Sequence, residues 1–262
     1  MKPSSRPKRL WRYSRIALHL LRGVLTSALV FPMLSQEQRG RSRQRWSCRL
    51  LNILGIELQS GGAPLIERGL IVANHVSWVD IFVINAITPS AFISKSEVRQ
   101  WPIIGWLAAV NETVFLRRGS RGHARIINEE IARCMGSGRH VALFPEGTTT
   151  DGSHVQHFHA ALLQPAILTG NPIQPMALRY KTPDGDYTRA AAYDGDLSLG
   201  QSMASIVGAE RIVVRVDILP AIKTVNLHRR EIALQAHQAI EALVTADASP
   251  TQAQPTDASL AA

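Results

Sequence analysis

The sequence predicts an α/β domain, with a mostly parallel central sheet flanked by helices, behind an N-terminal amphipathic helical arm. Three observations predict it. Short apolar runs of strand length alternate along the chain with longer segments of helical period. Positive charge is segregated: residues 1–50 hold 12 Lys/Arg against the single acid Glu37, whereas the rest of the chain holds 17 Lys/Arg and 19 Asp/Glu. The 262 residues, 45% hydrophobic and 19% charged, suffice for one large core and exclude a disordered, collagenous or coiled-coil chain. Two cysteines, Cys48 and Cys134, are too few for a disulfide framework or a four-thiolate zinc site, so a reducing compartment is the default.

The arm occupies residues 1–55. From Leu10 to Leu34 it reads as a helix in which Arg12, Arg15, His19, Arg22 and Thr26 form one stripe, with Leu10, Ala17, Leu21, Val24 and Ala28 opposite. This is the pattern of a basic amphipathic helix lying in a membrane interface. A spanning helix is the rival, since Ile16 to Leu34 is interrupted strongly only by His19 and Arg22. An arginine in mid-span costs roughly 2.5–3.5 kcal/mol. Basic clusters also flank both ends, so a single span would export one of them. Basic residues run into the apolar part and no small-x-small site follows, which ranks a cleaved signal peptide lower. An arm this basic needs a polyanion. Aromatic interleaving is confined to Trp11, Tyr13 and Trp46, which puts an anionic membrane surface ahead of nucleic acid.

The body, residues 56–245, supplies the alternation. Leu70–Ala73, Ala91–Ile93, Thr113–Leu116, Val141–Phe144, Ile173–Tyr180 and Ile212–Ile218 read as strands. Helices are expected over Trp78–Ile87, 97–110, 121–135, 159–169 and Leu227–Val244, and a loop over 182–196. The tail, residues 246–262, is rich in Ala, Thr, Gln and Pro and reads as disordered.

Two segments place polar residues directly after a buried strand, where active groups of open α/β sheets gather. In Asn74-His75-Val-Ser-Trp-Val-Asp80, a carboxylate five residues from an imidazole can fix its tautomer and leave the other nitrogen as a general base. The plainer alternative makes Asn74 and Ser77 helix caps and His75 a loop histidine. In Phe144-Pro-Glu-Gly-Thr148, a turn brings a carboxylate beside the sheet end; the plainer alternative is an ordinary Pro-Gly turn.

Taken together, Asn-His-x4-Asp and Phe-Pro-Glu-Gly-Thr resemble the glycerolipid acyltransferases of the 1-acylglycerol-3-phosphate acyltransferase family. Lys95-Ser-Glu97 with Trp101-Pro-x-x-Gly105, Thr113-Val-Phe-Leu-Arg-Arg118 and Asn171-Pro-Ile-Gln-Pro175 are similar to further blocks of that family, over roughly residues 60–220. The resemblance implies the glycerolipid acyltransferase fold and an O-acyltransferase. His75 would deprotonate the acceptor hydroxyl and Asp80 would orient it. The hydroxyl would attack acyl-CoA or acyl-carrier protein directly, on the cytoplasmic face of the inner membrane. Arg118, Glu146, Gly147, Thr148 and Lys95 would bind the acceptor, and no metal or redox cofactor is implied. A backbone N–H near the His75 turn is the natural oxyanion donor.

The chain departs from the commonest family pattern at Thr149, where many members carry an arginine, and at His157-Phe158-His159, where they carry Pro-Phe-Lys. Retention of Arg118, whose fork suits a phosphate, ranks 1-acyl-sn-glycerol 3-phosphate first as acceptor. The departures point to lyso-ornithine lipid or another lysolipid as the alternative. His154, His157 and His159 have a spacing that fits no standard zinc pattern. The reading from another class is a non-catalytic membrane- or nucleic-acid-binding protein.

Overall fold

Each strand expected from an apolar run is present in the computed structural model, which describes residues 3–95, 100, 105–106, 110, 113–116, 129, 131–136 and 138–248. The strands are β1 (Ile56–Gly62), β2 (Gly69–Ala73), β3 (Ser90–Lys95), β4 (Val114–Leu116), β5 (His140–Leu143), β6 (Ile173–Lys181) and β7 (Ile212–Ile218). They form one seven-stranded sheet in the order β1-β7-β6-β2-β5-β3-β4. Every neighbouring pair is parallel except β6 with β7. The expected α/β class and mostly parallel sheet are therefore observed. β1 is an addition: only Ile56 is buried and its second half is exposed, so as an edge strand it carries no long apolar run.

Among the described residues the labelled helices are α1 (Arg6–Leu25), α2 (Gln36–Leu54), α3 (Asp80–Ile87), α4 (Gln164–Leu168), α5 (Leu199–Gly208) and α6 (Arg229–Ala248), beside the helical residues 131–136. They cover both faces of the sheet, which is why its central strands read as unbroken apolar runs. Along β2, Ile71 and Ala73 enter one core with residues of α2, α3 and α5. Leu70 and Val72 enter the other, against α6 and residues 131–136. The region expected as helices 97–110 and 121–135 lies largely outside the described residues; residues 131–136 are helical. α6 continues past Ala246 to Ala248.

α1 and α2 form a hairpin packed on the body. His19 stacks on Trp46 at 4.5 Å between ring centroids; His19 Nε2 lies 3.0 Å from the Trp46 carbonyl, and Trp46 Nε1 donates back to the His19 carbonyl at 3.3 Å. A side chain at Gly23 would meet Trp46 Nε1 at 2.8 Å, so only glycine lets the helices approach this closely. The Arg12 guanidinium donates to the carbonyls of Val207, Ala209 and Glu210 at the end of α5, where unsatisfied carbonyls and the helix dipole favour a cation. The face that meets the protein carries Arg12, Ile16, His19 and Gly23, all buried; of the polar stripe Arg12 and His19 are thus taken up, while Arg15 and Thr26 are half-buried and Arg22 is exposed. Leu10, Leu18, Leu21, Leu25, Leu29 and Met33 point outward, Met33 being 85% exposed.

The sheet directions bring the carboxyl ends of β2, β5 and β6 to one end of the molecule. Both motif segments leave the sheet there.

Candidate active site

β2 ends at Ala73 and the chain does not enter a helix at once. Asn74 continues the sheet with its side chain: Nδ2 donates to the Leu178 carbonyl at 2.9 Å, and Oδ1 accepts from the Leu178 N–H at 2.7 Å. The cap role open to Asn74 in the sequence is therefore not the one it plays. Residues 75–79 then form an irregular turn, and Asp80 is the first residue of α3.

That turn is organised by the Asp80 carboxylate, which is 0% exposed. Oδ2 accepts from the Val76 N–H at 2.7 Å and the Ser77 N–H at 2.9 Å, and lies 2.9 Å from His75 Nδ1. Oδ1 accepts from the Tyr180 hydroxyl at 2.6 Å. A carboxylate is an acceptor only, so Nδ1 carries the proton and Nε2 keeps its lone pair. Burial first, and then the neighbouring Asp80 charge, push the Tyr180 phenol well above its usual value, which keeps it a donor.

The second segment surrounds the same histidine. Phe144 lies face to face with the His75 ring, 4.0 Å between centroids and 6° between planes. Thr150 N–H donates to the His75 carbonyl at 2.8 Å. Glu146, 4% exposed, accepts from the His75 N–H through Oε1 at 2.6 Å and from the Gln156 N–H through Oε2 at 2.7 Å. Burial pushes its carboxyl up to about 7; the Gln156 and His75 N–H groups oppose the rise and the Asp80 charge adds to it. Gly147 turns the chain at φ +69, a conformation natural to glycine. Thr148 is exposed beside it.

Of the residues singled out in the sequence, His75, Asp80, Glu146, Gly147 and Thr148 come together at this end of the sheet. Lys95 closes β3, paired with Leu116 on β4, and its side chain lies outside the described residues, as does Arg118 entirely. The N–H groups of residues 75, 76 and 77 are already bound to Glu146 and Asp80. An oxyanion donor therefore has to come from beyond these three. The sequence assigned no role to Tyr180 or Phe144: the first lies on a strand 100 positions from Asp80, and the second was part of the Phe-Pro-Glu-Gly-Thr motif with no function of its own.

The loop over 182–196 walls the site on another side. Tyr193 N–H donates to the Val76 carbonyl at 2.9 Å, and the Tyr187 hydroxyl donates to the Asp151 carbonyl at 2.9 Å. The Thr149 hydroxyl donates to the Tyr193 carbonyl, so the side chain at this variant position is already engaged. The histidines do not form a metal cluster. His157 and His159 stand edge to face at 6.0 Å, and no group of three His, Cys, Asp or Glu suited to a metal occurs among the described residues. A groove of about 900 Å³ at the β1–β7 edge, lined by Lys8, Glu57, Asp184, Glu210 and Arg211 among others, contains none of the motif residues.

Known proteins resemble this chain in sequence and in fold. A family model described as Acyltransferase matches residues 59–179. The lyso-ornithine lipid O-acyltransferase of Pseudomonas aeruginosa is 39% identical over 232 residues, covering 88% of this chain and 87% of that protein. The 1-acyl-sn-glycerol-3-phosphate acyltransferase of Neisseria meningitidis is 37% identical, covering 70% of this chain and 72% of that protein. The crystal structure of the 1-acyl-sn-glycerophosphate (LPA) acyltransferase PlsC from Thermotoga maritima has the same fold, with a TM-score of 0.67 at 20% identity over 90% of this chain and 93% of that one.

Tyr180→Phe keeps the ring and removes the donor from a buried carboxylate oxygen. It should lower the unfolding free energy by about 1–3 kcal/mol with an unchanged circular dichroism spectrum. Denaturant titration measures this; full stability in the variant would mean that Asp80 does not depend on the hydroxyl.

Proposed function

Because the chain belongs to the acyltransferase family and acylates lysolipids, we propose that it transfers the acyl group directly from a thioester, acyl-CoA or acyl-carrier protein, to the hydroxyl of lyso-ornithine lipid, with His75 as the general base. The observation that carries the chemistry is the 2.9 Å contact between His75 Nδ1 and Asp80 Oδ2 on a side chain that is 20% exposed. It presents Nε2 as the basic atom. The acceptor oxygen attacks the thioester carbonyl carbon as Nε2 takes its proton. The C–S bond then breaks, and the leaving sulfur takes that proton back from the imidazolium, yielding an ester and a free thiol. The balance closes without a metal or redox group. No acyl-enzyme is needed either: Cys48 sits on α2 and Cys134 is buried in the 131–136 helix.

The choice of acceptor reverses the order given by the motifs alone. It rests on the longer match to the Pseudomonas aeruginosa protein and on Thr149, which offers the head group no cation and spends its hydroxyl on Tyr193. Arg179 and Lys181 on β6 are likewise paired with Asp217 and Asp247. Acylation of 1-acyl-sn-glycerol 3-phosphate is the second reading, favoured by the Neisseria meningitidis relative and by Arg118 in the second motif block. Purified protein offered both lysolipids with an acyl thioester distinguishes them: faster turnover of lyso-ornithine lipid supports the assignment, and exclusive acylation of the phosphate acceptor overturns it. His75→Ala should lower kcat by about 10²–10⁴. An active His75→Ala enzyme would remove the base assignment.

We place the enzyme on the cytoplasmic face of the inner membrane, held by α1. Residues 6–33 form, among the described residues, the one helix long and apolar enough to cross a bilayer. One face of it, with Arg12 and His19, packs on the protein and its leucines face outward beside the exposed Arg22, which favours a helix lying in the interface over a spanning one. Replacing Leu18, Leu21 and Leu25 together by glutamine should release the protein from anionic vesicles while leaving its fold unchanged. Each basic residue near such a surface adds about 1 kcal/mol that salt screens, so salt alone should release only part of the wild type. Unaltered vesicle binding by the triple variant would contradict this placement.

A further inference from the structure

Resemblance assigns Glu146 to the acceptor, yet its carboxylate faces inward. It is 4% exposed, and each oxygen is aimed at a backbone N–H, His75 at 2.6 Å and Gln156 at 2.7 Å. In its ionised form it is also a poor ligand for the phosphate of one candidate acceptor or the carboxylate of the other, because like charges repel. The ammonium group of ornithine would suit it, but that group would have to enter a closed space already filled by two N–H donors. Meanwhile the rest of the segment also serves His75. Phe144 covers the ring face at 4.0 Å, Thr150 N–H holds the His75 carbonyl, and the Gly147 and His159 N–H groups fix the turn through the Phe144 and Pro145 carbonyls.

We propose that Glu146 is a positioning residue for His75, fastening the backbone of the base to the Phe144–Thr150 turn, and that it does not bind the acceptor. The assignment rests on His75 as the base. Asp80 then sets the tautomer, Phe144 sets the ring plane, and Glu146 sets the position of the Cα from which the ring projects.

Glu146→Gln tests this with little change of volume. The amide has one acceptor and one donor where the site needs two acceptors, so one N–H is released. In wild-type background kcat should fall by about 10–100-fold, with KM for donor and acceptor nearly unchanged. The factor should be the same for lyso-ornithine lipid and for 1-acyl-sn-glycerol 3-phosphate. In a His75→Ala background the same substitution should have little further effect, since the base it positions is gone. A raised acceptor KM at unchanged kcat, or a factor that differs between the two acceptors, would overturn the proposal and leave the acyltransferase reading in place.

A second measurement needs no variant. In wild-type protein, the amide protons of His75 and Gln156 should stay protected from exchange when lysolipid saturates the site. Loss of protection at either on lysolipid binding would mean that Glu146 turns to the acceptor. A wild-type protein that acylates no lysolipid would fail the functional reading, a result separable from the amide measurement.

Discussion

Four hydrogen bonds converge on the buried Asp80 carboxylate, and the geometry of the site depends on them. The Val76 and Ser77 N–H groups wrap the chain around Oδ2, so the turn between β2 and α3 is set by side-chain capture of backbone. His75 meets the same oxygen. Tyr180 reaches Oδ1 from β6, which ties the turn to a strand that is neighbour to β2 in the sheet. An uncompensated buried charge costs several kcal/mol; here directed donors offset that cost, and their positions force His75 to present Nε2.

A second buried carboxylate lies close by, and it is handled differently. Glu146 has two backbone donors rather than four partners, and its carboxyl is pushed up to about 7 by burial with Asp80 adding to the rise. Two carboxylates therefore brace one histidine, Asp80 through the ring and Glu146 through the backbone. The pair explains why the two motif segments, distant in sequence, must leave adjacent strands β2 and β5 at the same end. Their parallel register, Gly69 beside His140 and Val72 beside Leu143, delivers them together.

Much of this was legible in the sequence because the central strands are covered on both faces and read as plain apolar runs. What was missed lacks that signature. β1 is a half-exposed edge strand. α2 and α5 were not resolved as separate helices, although each opens on a capping box, Ser35 with Gln38 and Ser198 with Gln201, a Ser-x-x-Gln signal that could have located both. Amphipathic spacing in α1 identified two faces without saying which the protein would take; the face with Arg12 and His19 docks, and there Arg12 finds the carbonyls at the end of α5. In the site, His75 and Asp80 were visible as a pair five residues apart. Tyr180, Phe144 as a ring platform and Asn74 as a strand mimic depend on contacts across the sheet, which no local pattern encodes.

Nitrogen-15 NMR of His75 in its neutral form tests the central claim most directly, because the proton's position on the ring follows from the Asp80 contact. The account predicts a protonated Nδ1 and a bare Nε2 in the wild type, with that preference weakened in Asp80→Asn. A wild-type ring protonated on Nε2 would contradict it, since such a ring could not take a proton from the acceptor at the exposed nitrogen.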